Sequence, residues 1–166
     1  MGPARREARR RAAVAGARVG RRDPVRGLPG RGVIEITRIY HFSAAHRLVS
    51  EHLGAAANAE LYGPCARPHG HNYYVEVTMA GVPDPVTGMA VDLGRVDAAV
   101  GERLLRHVDH HTLEAAPPLA GVITTGEGLA RAFWDILIPV LAPDALRRVR
   151  VVETAKNRFE YRGEAA

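Results

Sequence analysis

The sequence predicts an α+β domain built on an antiparallel β-sheet. Three observations support this class: short strand-like runs are joined by Pro/Gly turns, two stretches have helical periodicity, and strands and helices do not alternate one by one. From residue 33 onward the expected order is one strand, a pair of strands, two helices and a closing pair of strands. Regular alternation of strands and helices would instead indicate a doubly wound parallel sheet.

The first two strands are predicted from alternation and from β-forming residues. Residues 33–42 alternate apolar and polar side chains, which is the period of a half-buried strand. Residues 43–63 are mixed and could form helix or loop. Residues 71–80 are rich in Tyr, Val and Thr and predict a second strand, followed by a turn at 81–88 and a hairpin partner at 89–92.

The second half of the chain predicts two helices and a hairpin. Apolar side chains repeat at helical spacing within residues 93–105 and again within 124–141. Residues 148–154 and 158–162 are β-forming and are separated by a short polar turn, so they predict a closing hairpin.

The positive charge is concentrated at the N-terminus. Residues 1–32 contain ten arginines against Glu7 and Asp23, a local charge of +8, so the remainder carries −3 of the total of +5. Because this segment of Arg, Ala, Gly and Pro has no apolar face, we expect residues 1–32 to be a disordered extension and residues 33–166 to form a single domain.

The use of this extension is open between three interpretations. It has no serine and no apolar signal core, which disfavours an organellar transit peptide and a secretory signal. An arm binding phosphates without sequence preference is a second interpretation. We favour an extension that the domain does not need, and no specific nucleic-acid partner is expected.

Composition limits the class of protein. The chain has 166 residues and is 46% hydrophobic, as expected for one globular domain. Its longest apolar run, 136–142, contains Pro139 and is far shorter than the roughly 18 residues of a membrane helix, so no membrane span is expected. A single cysteine, Cys65, excludes an internal disulfide and favours a cytoplasmic location.

Three histidines are candidate metal ligands. His69 and His71 are separated by one residue at the start of a strand, so both imidazoles point to the same face. His46 ends the first strand, and a neighbouring antiparallel strand could bring it within reach of the pair. Three neutral imidazoles with an open fourth position are typical of catalytic zinc. The alternative is a pair of hydrogen-bonded surface histidines.

Cys65 lies four residues before His69, and its role is open. As a fourth ligand it would close a structural zinc site. Held nearby as a thiolate, it could act as base or nucleophile. It could also be a buried structural thiol.

Asp109, His110 and Glu153 are further candidates. A carboxylate beside an imidazole can form a proton relay, but the pair could equally be a polar helix terminus. Glu153 stands in an apolar run, where a buried carboxylate needs N–H donors such as those of a planar heterocycle. An outward-facing edge residue is the alternative for Glu153.

Six motifs in this order resemble the 6-pyruvoyltetrahydropterin synthase and 6-carboxytetrahydropterin synthase family. They are FSAAHRL, CARPHGHNYYVEV, GMAVDL, VDHHTLE, TTGEGLARAFWDIL and VVETAKNRFEYRGE, and they extend over nearly all of residues 34–164. The resemblance implies the tunnelling fold, in which a four-stranded antiparallel sheet carries two helices on one face and three subunits close a barrel. It also implies a homohexamer of two stacked trimers and Zn²⁺ as cofactor.

Matching positions imply the roles of individual residues. His46, His69 and His71 match the zinc ligands, Cys65 the catalytic cysteine, and Asp109 and His110 the catalytic relay. Glu153 matches the pterin anchor. Thr125 and Glu127 match positions where a helix start approaches the pterin, although a capping box of Thr124 and Glu127 would also explain this stretch.

The implied substrate is a pterin triphosphate, 7,8-dihydroneopterin triphosphate. Zinc would act as a Lewis acid on the side-chain hydroxyls, Cys65 would serve as base, Asp109 and His110 would move a second proton, and triphosphate would leave. The short gap between Cys65 and His69 resembles carboxy-forming bacterial enzymes, so the main prediction is a lyase making 6-carboxy-5,6,7,8-tetrahydropterin for queuosine-type synthesis.

Two alternatives are kept beside this prediction. Residues 50–63, and the YG before the cysteine, resemble enzymes that make the 6-pyruvoyl product for tetrahydrobiopterin-type synthesis. From another class, the chain could be a non-catalytic zinc-binding module with a basic nucleic-acid-binding arm.

Overall fold

The computed structural model of the protein describes residues 32–142 and 145–164. In these ranges four strands form one antiparallel sheet in the order β1-β2-β3-β4. The strands are Ile34–His46 (β1), His69–Gly81 (β2), Leu146–Val152 (β3) and Arg158–Tyr161 (β4). The predicted α+β class and antiparallel sheet are confirmed.

The helices lie in the connections between strands. Ala55–Tyr62 (α1) and a 3₁₀ turn, Gly63–Ala66, join β1 to β2. The connection from β2 to β3 contains Leu93–Val100 (α2), a π turn at Gly101–Leu105, Arg106–Val108 (α3), 3₁₀ turns at Leu113–Ala115 and Pro117–Leu119, and Gly126–Leu137 (α4). The stretch 43–63 thus contains the end of a strand, a loop and a helix.

The core lies between one face of the sheet and the helices that follow β2. Alternate residues of β1 and β2 are buried there, among them Phe42, Tyr73 and Val75, and they pack against apolar residues of α2, α3 and α4. The opposite face of the sheet exposes Ile39 and Tyr74. Two helical segments on one face of a four-stranded sheet were predicted, and this arrangement is confirmed.

The π turn keeps the apolar side of the α2–α3 helix against the sheet. Val96, Val100, Leu104 and Val108 are all buried, at a constant spacing of four residues. In a regular α-helix four residues advance by about 400°, so such a series would drift around the helix by about 40° at each step. The wider π turn offsets this drift. The helix therefore ends with Val108 in the core and Asp109 directly after it.

The predicted hairpin partner at residues 89–92 is wrong. Residues 82–92 form a loop in which the Asp84 carboxylate accepts hydrogen bonds from the backbone of Val86 and Thr87. β2 is paired on both of its edges, with β1 and β3, so it has no free edge for a further strand.

The predicted cap of the second long helix is one residue early. Thr125, not Thr124, is the N-cap of α4, and its hydroxyl accepts a hydrogen bond from the backbone N–H of Gly128 at 3.1 Å. The hydroxyl of Thr124 is buried and instead donates to Oε1 of Glu114 at 2.6 Å. With Thr124 committed to this bond, the next threonine caps the helix.

The prediction of a disordered extension at residues 1–32 falls, apart from Gly32, outside the described residues. Among the residues that are described, no helix has both the length and the apolar character to cross a membrane.

Candidate active site

The register of β1 and β2 brings the three candidate histidines together. His46 is directly opposite His69, and His71 lies two residues further along β2, on the same face. The ring centroid of His46 is 4.4 Å from that of His69 and 5.2 Å from that of His71. One nitrogen from each ring can be chosen so that all three lie within 4.8 Å of one another. We call these three residues the histidine cluster.

Hydrogen bonds to backbone carbonyls orient two of these rings. Nδ1 of His46 is 3.0 Å from the carbonyl oxygen of Thr124, and Nδ1 of His69 is 2.8 Å from that of Arg67. Because a carbonyl oxygen can only accept, each Nδ1 carries the proton and each Nε2 keeps its lone pair. Such bonds are the usual way in which proteins fix the tautomer of a metal-binding histidine.

The histidine cluster has the chemistry of a zinc site. Burial lowers the pKa of His46 and of His71, which favours the neutral imidazoles that metals require. Three neutral imidazoles leave one position of a tetrahedral ion open, as in catalytic zinc centres. The donor set of these residues therefore suits zinc.

Glu153 lies directly beside the histidine cluster. Its Oε1 atom is 3.9 Å from Nε2 of His46 and 4.0 Å from Nε2 of His71, and its side chain is only 14% exposed. Nδ2 of Asn157 donates to the other carboxylate oxygen at 3.5 Å. This position excludes the alternative interpretation of Glu153 as an outward-facing edge residue.

Tyr73 also reaches the cluster, and sequence reasoning missed it. Its hydroxyl is 3.2 Å from Nε2 of His46, and the whole side chain is buried. Burial raises the pKa of this phenol, so it stays protonated. The available signal was the alternation in His69, His71 and Tyr73, which places all three on one face of β2.

Cys65 lies outside the histidine cluster, in the 3₁₀ turn before β2. Its backbone carbonyl accepts a hydrogen bond from the N–H of Leu48 at 2.8 Å, which ties this turn to the chain just beyond His46. Cys65 is exposed, so the interpretation as a buried structural thiol does not fit.

Asp109 and His110 lie along the outer edge of β1. The N–H of Ser43 donates to Oδ1 of Asp109 at 2.9 Å, and the N–H of His110 donates to the Ser43 carbonyl at 2.7 Å. The bond from Ser43 lowers the pKa of the Asp109 carboxyl. Nδ1 of His110 is 3.0 Å from Oδ1 of Asp109, and His110 has a φ of 59°, in the region that favours glycine.

The Asp109–His110 pair is separate from the histidine cluster, but one residue of each lines a common cavity. The cavity has a volume of about 480 Å³, and both His71 and His110 line it. The structure therefore forms the predicted pair, and His110 lines the same cavity as His71, one of the three candidate metal ligands.

Thr125 and Glu127 lie at the start of α4, where Thr125 is the cap and Glu127 is exposed in the first turn.

A second feature that sequence reasoning missed is Glu114, which accepts hydrogen bonds from the hydroxyl of Thr124 and from the N–H of Arg47. The same Thr124 holds His46 through its carbonyl, so Glu114 supports the cluster indirectly.

Comparison with known proteins gives consistent similarities. A family model described as 6-pyruvoyl tetrahydropterin synthase matches residues 35–164. The 6-pyruvoyl tetrahydrobiopterin synthases of Poecilia reticulata and Homo sapiens are 42% and 40% identical, over 82% and 78% of this chain and 95% and 92% of theirs. A 6-carboxy-5,6,7,8-tetrahydropterin synthase of Aquifex aeolicus is 28% identical, over 78% of this chain and 98% of its own.

Solved structures agree with these sequence matches. The 6-pyruvoyl tetrahydropterin synthase of Caenorhabditis elegans has a TM-score of 0.76 at 36% identity, covering 81% of this chain and 98% of that one. The Plasmodium vivax protein of the same name has a TM-score of 0.58 at 16% identity, with coverage of 81% and 99%, and shares the fold. These matches confirm the tunnelling fold that the motifs led us to expect. Because the family model and the relatives point to the same family, the chain belongs to the 6-pyruvoyl tetrahydropterin synthase family.

Proposed function

We propose that this chain is a zinc-dependent 6-pyruvoyl tetrahydropterin synthase, a lyase that eliminates triphosphate from 7,8-dihydroneopterin triphosphate. The observation that carries the proposal is the contrast in identity between relatives. Six relatives named for the 6-pyruvoyl activity are 36–42% identical to this chain, whereas a relative named for the 6-carboxy activity is 28% identical. This favours the pyruvoyl alternative over the carboxy product that the short gap after Cys65 had suggested. A difference of two residues in an exposed connection is a weaker signal than similarity along the whole domain.

His46, His69 and His71 would hold the zinc ion. Bound there, zinc supplies a Lewis acid that polarises substrate oxygen atoms. The hydrogen bonds of His46 and His69 to backbone carbonyls support this role, because they place the lone pair of each neutral ring on Nε2.

Glu153 would bind the pterin ring. A carboxylate accepts two adjacent N–H donors of such a heterocycle, and the low exposure of Glu153 limits competition from water. Because Oε1 lies about 4 Å from two histidine nitrogens, a ring bound to Glu153 has its side chain close to the histidine cluster. This supplies the positioning that the reaction needs.

Cys65 would take one proton and the Asp109–His110 pair would move the second. The thiol is exposed and therefore accessible, and His110 lines the cavity to which His71 also contributes. The hydrogen bond from the backbone N–H of Ser43 lowers the pKa of the Asp109 carboxyl and favours its ionised form, which can hold the imidazole of His110 in one orientation.

We further propose a homohexamer, as the resemblance implies. The sheet face without helices leaves Ile39 63% exposed and Tyr74 48% exposed. Apolar surface of this kind is typical of an interface, and closure of the sheet into a barrel of subunits would cover it.

The product identifies the activity. We would incubate the full chain, loaded with zinc, with 7,8-dihydroneopterin triphosphate and analyse the products by mass spectrometry. The proposal expects a 6-pyruvoyl pterin and free triphosphate. A 6-carboxy pterin with acetaldehyde would replace it with the carboxy activity. If metal-replete protein leaves the substrate unchanged, both enzyme activities are rejected and the non-catalytic zinc-binding module is favoured.

A further inference from the structure

The hydroxyl of Tyr73 is hydrogen-bonded to Nε2 of His46, the nitrogen through which this ring would bind a metal. Nδ1 of His46 donates to the Thr124 carbonyl, so Nε2 holds the only lone pair of the neutral ring. The Tyr73 hydroxyl, 3.2 Å away, donates to this Nε2. One lone pair cannot accept this proton and bind a metal at the same time.

Tyr73 is held firmly in this position. Its side chain is 0% exposed, and its ring stacks on Phe42 with centroids 4.8 Å apart and planes 11° apart. Its ring is also edge-on to those of His46 and His71, at 6.0 and 5.5 Å. Among the described residues, Nε2 of His46 is the hydrogen-bond partner found for the hydroxyl.

We propose that Tyr73 is a positioning residue that holds Nε2 of His46 in the metal-free protein and competes with the metal for it. This inference rests on the proposed function, since it requires the histidine cluster to bind a metal. Metal binding must break the bond between Tyr73 and His46. A neutral hydrogen bond in a buried site is worth roughly a two- to ten-fold change in an equilibrium constant.

The test uses Tyr73→Phe, which removes the hydroxyl and keeps the buried ring. We would measure the zinc Kd of the full chain by competition with a chromophoric chelator. We expect zinc to bind about two- to ten-fold more tightly to the variant. The metal-free variant should also melt at a lower temperature, because Nε2 of His46 loses its donor. A purely structural hydroxyl would lower the melting temperature with and without zinc and leave Kd unchanged.

Tyr74→Phe is the matched control. Tyr74 is the next residue of β2, points to the opposite face and is 48% exposed. The zinc Kd of the Tyr74→Phe variant should therefore equal that of the unmodified chain. A second measurement does not depend on the stability of a variant. Zinc should change the ultraviolet spectrum of tyrosine in the unmodified chain and in Tyr74→Phe, but not in Tyr73→Phe.

The outcomes separate this inference from the proposed function. If zinc binding is lost in His46→Ala but Tyr73→Phe binds zinc with equal or weaker affinity, the inference is overturned and the metal site stands. The lack of a tyrosine spectral change on zinc binding would overturn it in the same way. If zinc binding survives in His46→Ala and His71→Ala, both the inference and the proposed metal site are wrong.

Discussion

The backbone carbonyl of Thr124 accepts a hydrogen bond from Nδ1 of His46 at 3.0 Å, although 78 positions separate the two residues in the sequence. The hydroxyl of the same Thr124 donates to Glu114, which also accepts from the N–H of Arg47. The loop before α4 therefore orients a ring at the end of β1, and a change in that loop should reach the histidine cluster.

Thr124→Val tests this connection. The substitution keeps the shape of the side chain but removes the donor to Glu114 inside a buried site, so we expect a loss of about 1–2 kcal/mol in the free energy of unfolding. We also expect weaker zinc binding, because the carbonyl that orients His46 is released. Urea unfolding and a zinc competition titration measure the two effects. The exposed Thr112→Val is the control, and loss of stability with unchanged zinc affinity would contradict the connection.

His71→Ala should abolish stoichiometric zinc binding. The variant removes one of three nitrogens, and two remaining imidazoles are too few for a stable catalytic zinc site. Metal content after dialysis, measured by mass spectrometry, gives the result. Asn72→Ala changes the adjacent residue, which points to the other face of β2, and should keep one zinc per chain. Equal metal content in both variants would place the metal elsewhere.

Cys65→Ala should keep zinc and lose turnover. The thiol is outside the histidine cluster, so metal content should be unchanged, while removal of a general base typically costs about 10²–10⁴-fold in rate. Zinc content and kcat should be measured on the same sample. Loss of the metal in this variant would identify Cys65 as a ligand and refute its proposed role as base.

Asp97 should stabilise the protein only above acidic pH. Hydrogen bonds from Arg38 at 2.6 Å and from the Tyr40 hydroxyl at 2.7 Å lower the pKa of Asp97 in the folded state. Since the folded pKa is below the unfolded value of about 3.9, the stabilisation is complete above that value and is lost as the pH falls through the folded pKa.

The Asp97→Asn variant measures this dependence. In urea unfolding it should be less stable than the unmodified chain at pH 7, and the difference should shrink as the pH falls below about 4. Asp135→Asn, at an exposed position of α4, is the control. A stability difference that stays constant down to the lowest pH would show that the carboxylate charge is not responsible.

Two glycine substitutions should have opposite signs. A Cβ at Gly126, at the start of α4, would overlap the ring of Phe159, so Gly126→Ala should destabilise the protein by about 1–3 kcal/mol. Gly101 is in helical conformation with open space at its Cβ position, so Gly101→Ala should stabilise it by about 0.5–1 kcal/mol. Thermal or urea unfolding of both variants measures the change in the free energy of unfolding. If Gly126→Ala stabilised the protein as Gly101→Ala is expected to, the packing of Phe159 against Gly126 would be contradicted.

The sheet was predictable because its signals are local. Alternation in residues 33–42 and β-forming composition in residues 71–80 identify β1 and β2, and the pair His69 and His71 follows from the two-residue period of a strand. The hairpin partner at 89–92 was wrong because an isolated run carries no information on whether its neighbour still has a free edge.

Other parts of the site depend on contacts between distant segments. Two adjacent threonines can each cap a helix, and only the burial of Thr124 beside Glu114 decides between them. Tyr73 has the sequence signature of a core residue, so its hydroxyl becomes informative only when His46 is placed opposite β2. The position of Asp109 and His110 follows from backbone hydrogen bonds to Ser43, which no motif encodes.

The pairing of His46 with His69 joins the last residue of β1 to the first residue of β2. The ends of paired strands open more readily than their centres, so a metal held by this pair and His71 would keep the last residue pair of β1 and β2 together. The separation of these paired residues and the release of the metal then become a single event. A ligand that binds only the paired form stabilises that form by RT ln(1 + c/Kd), where c is the free ligand concentration, so the stabilisation grows with the logarithm of the metal concentration. Amide hydrogen exchange near Ala44 and Gly70 should therefore slow as zinc is added, while exchange at the opposite end of the strands, near Ile36 and Met79, should not change.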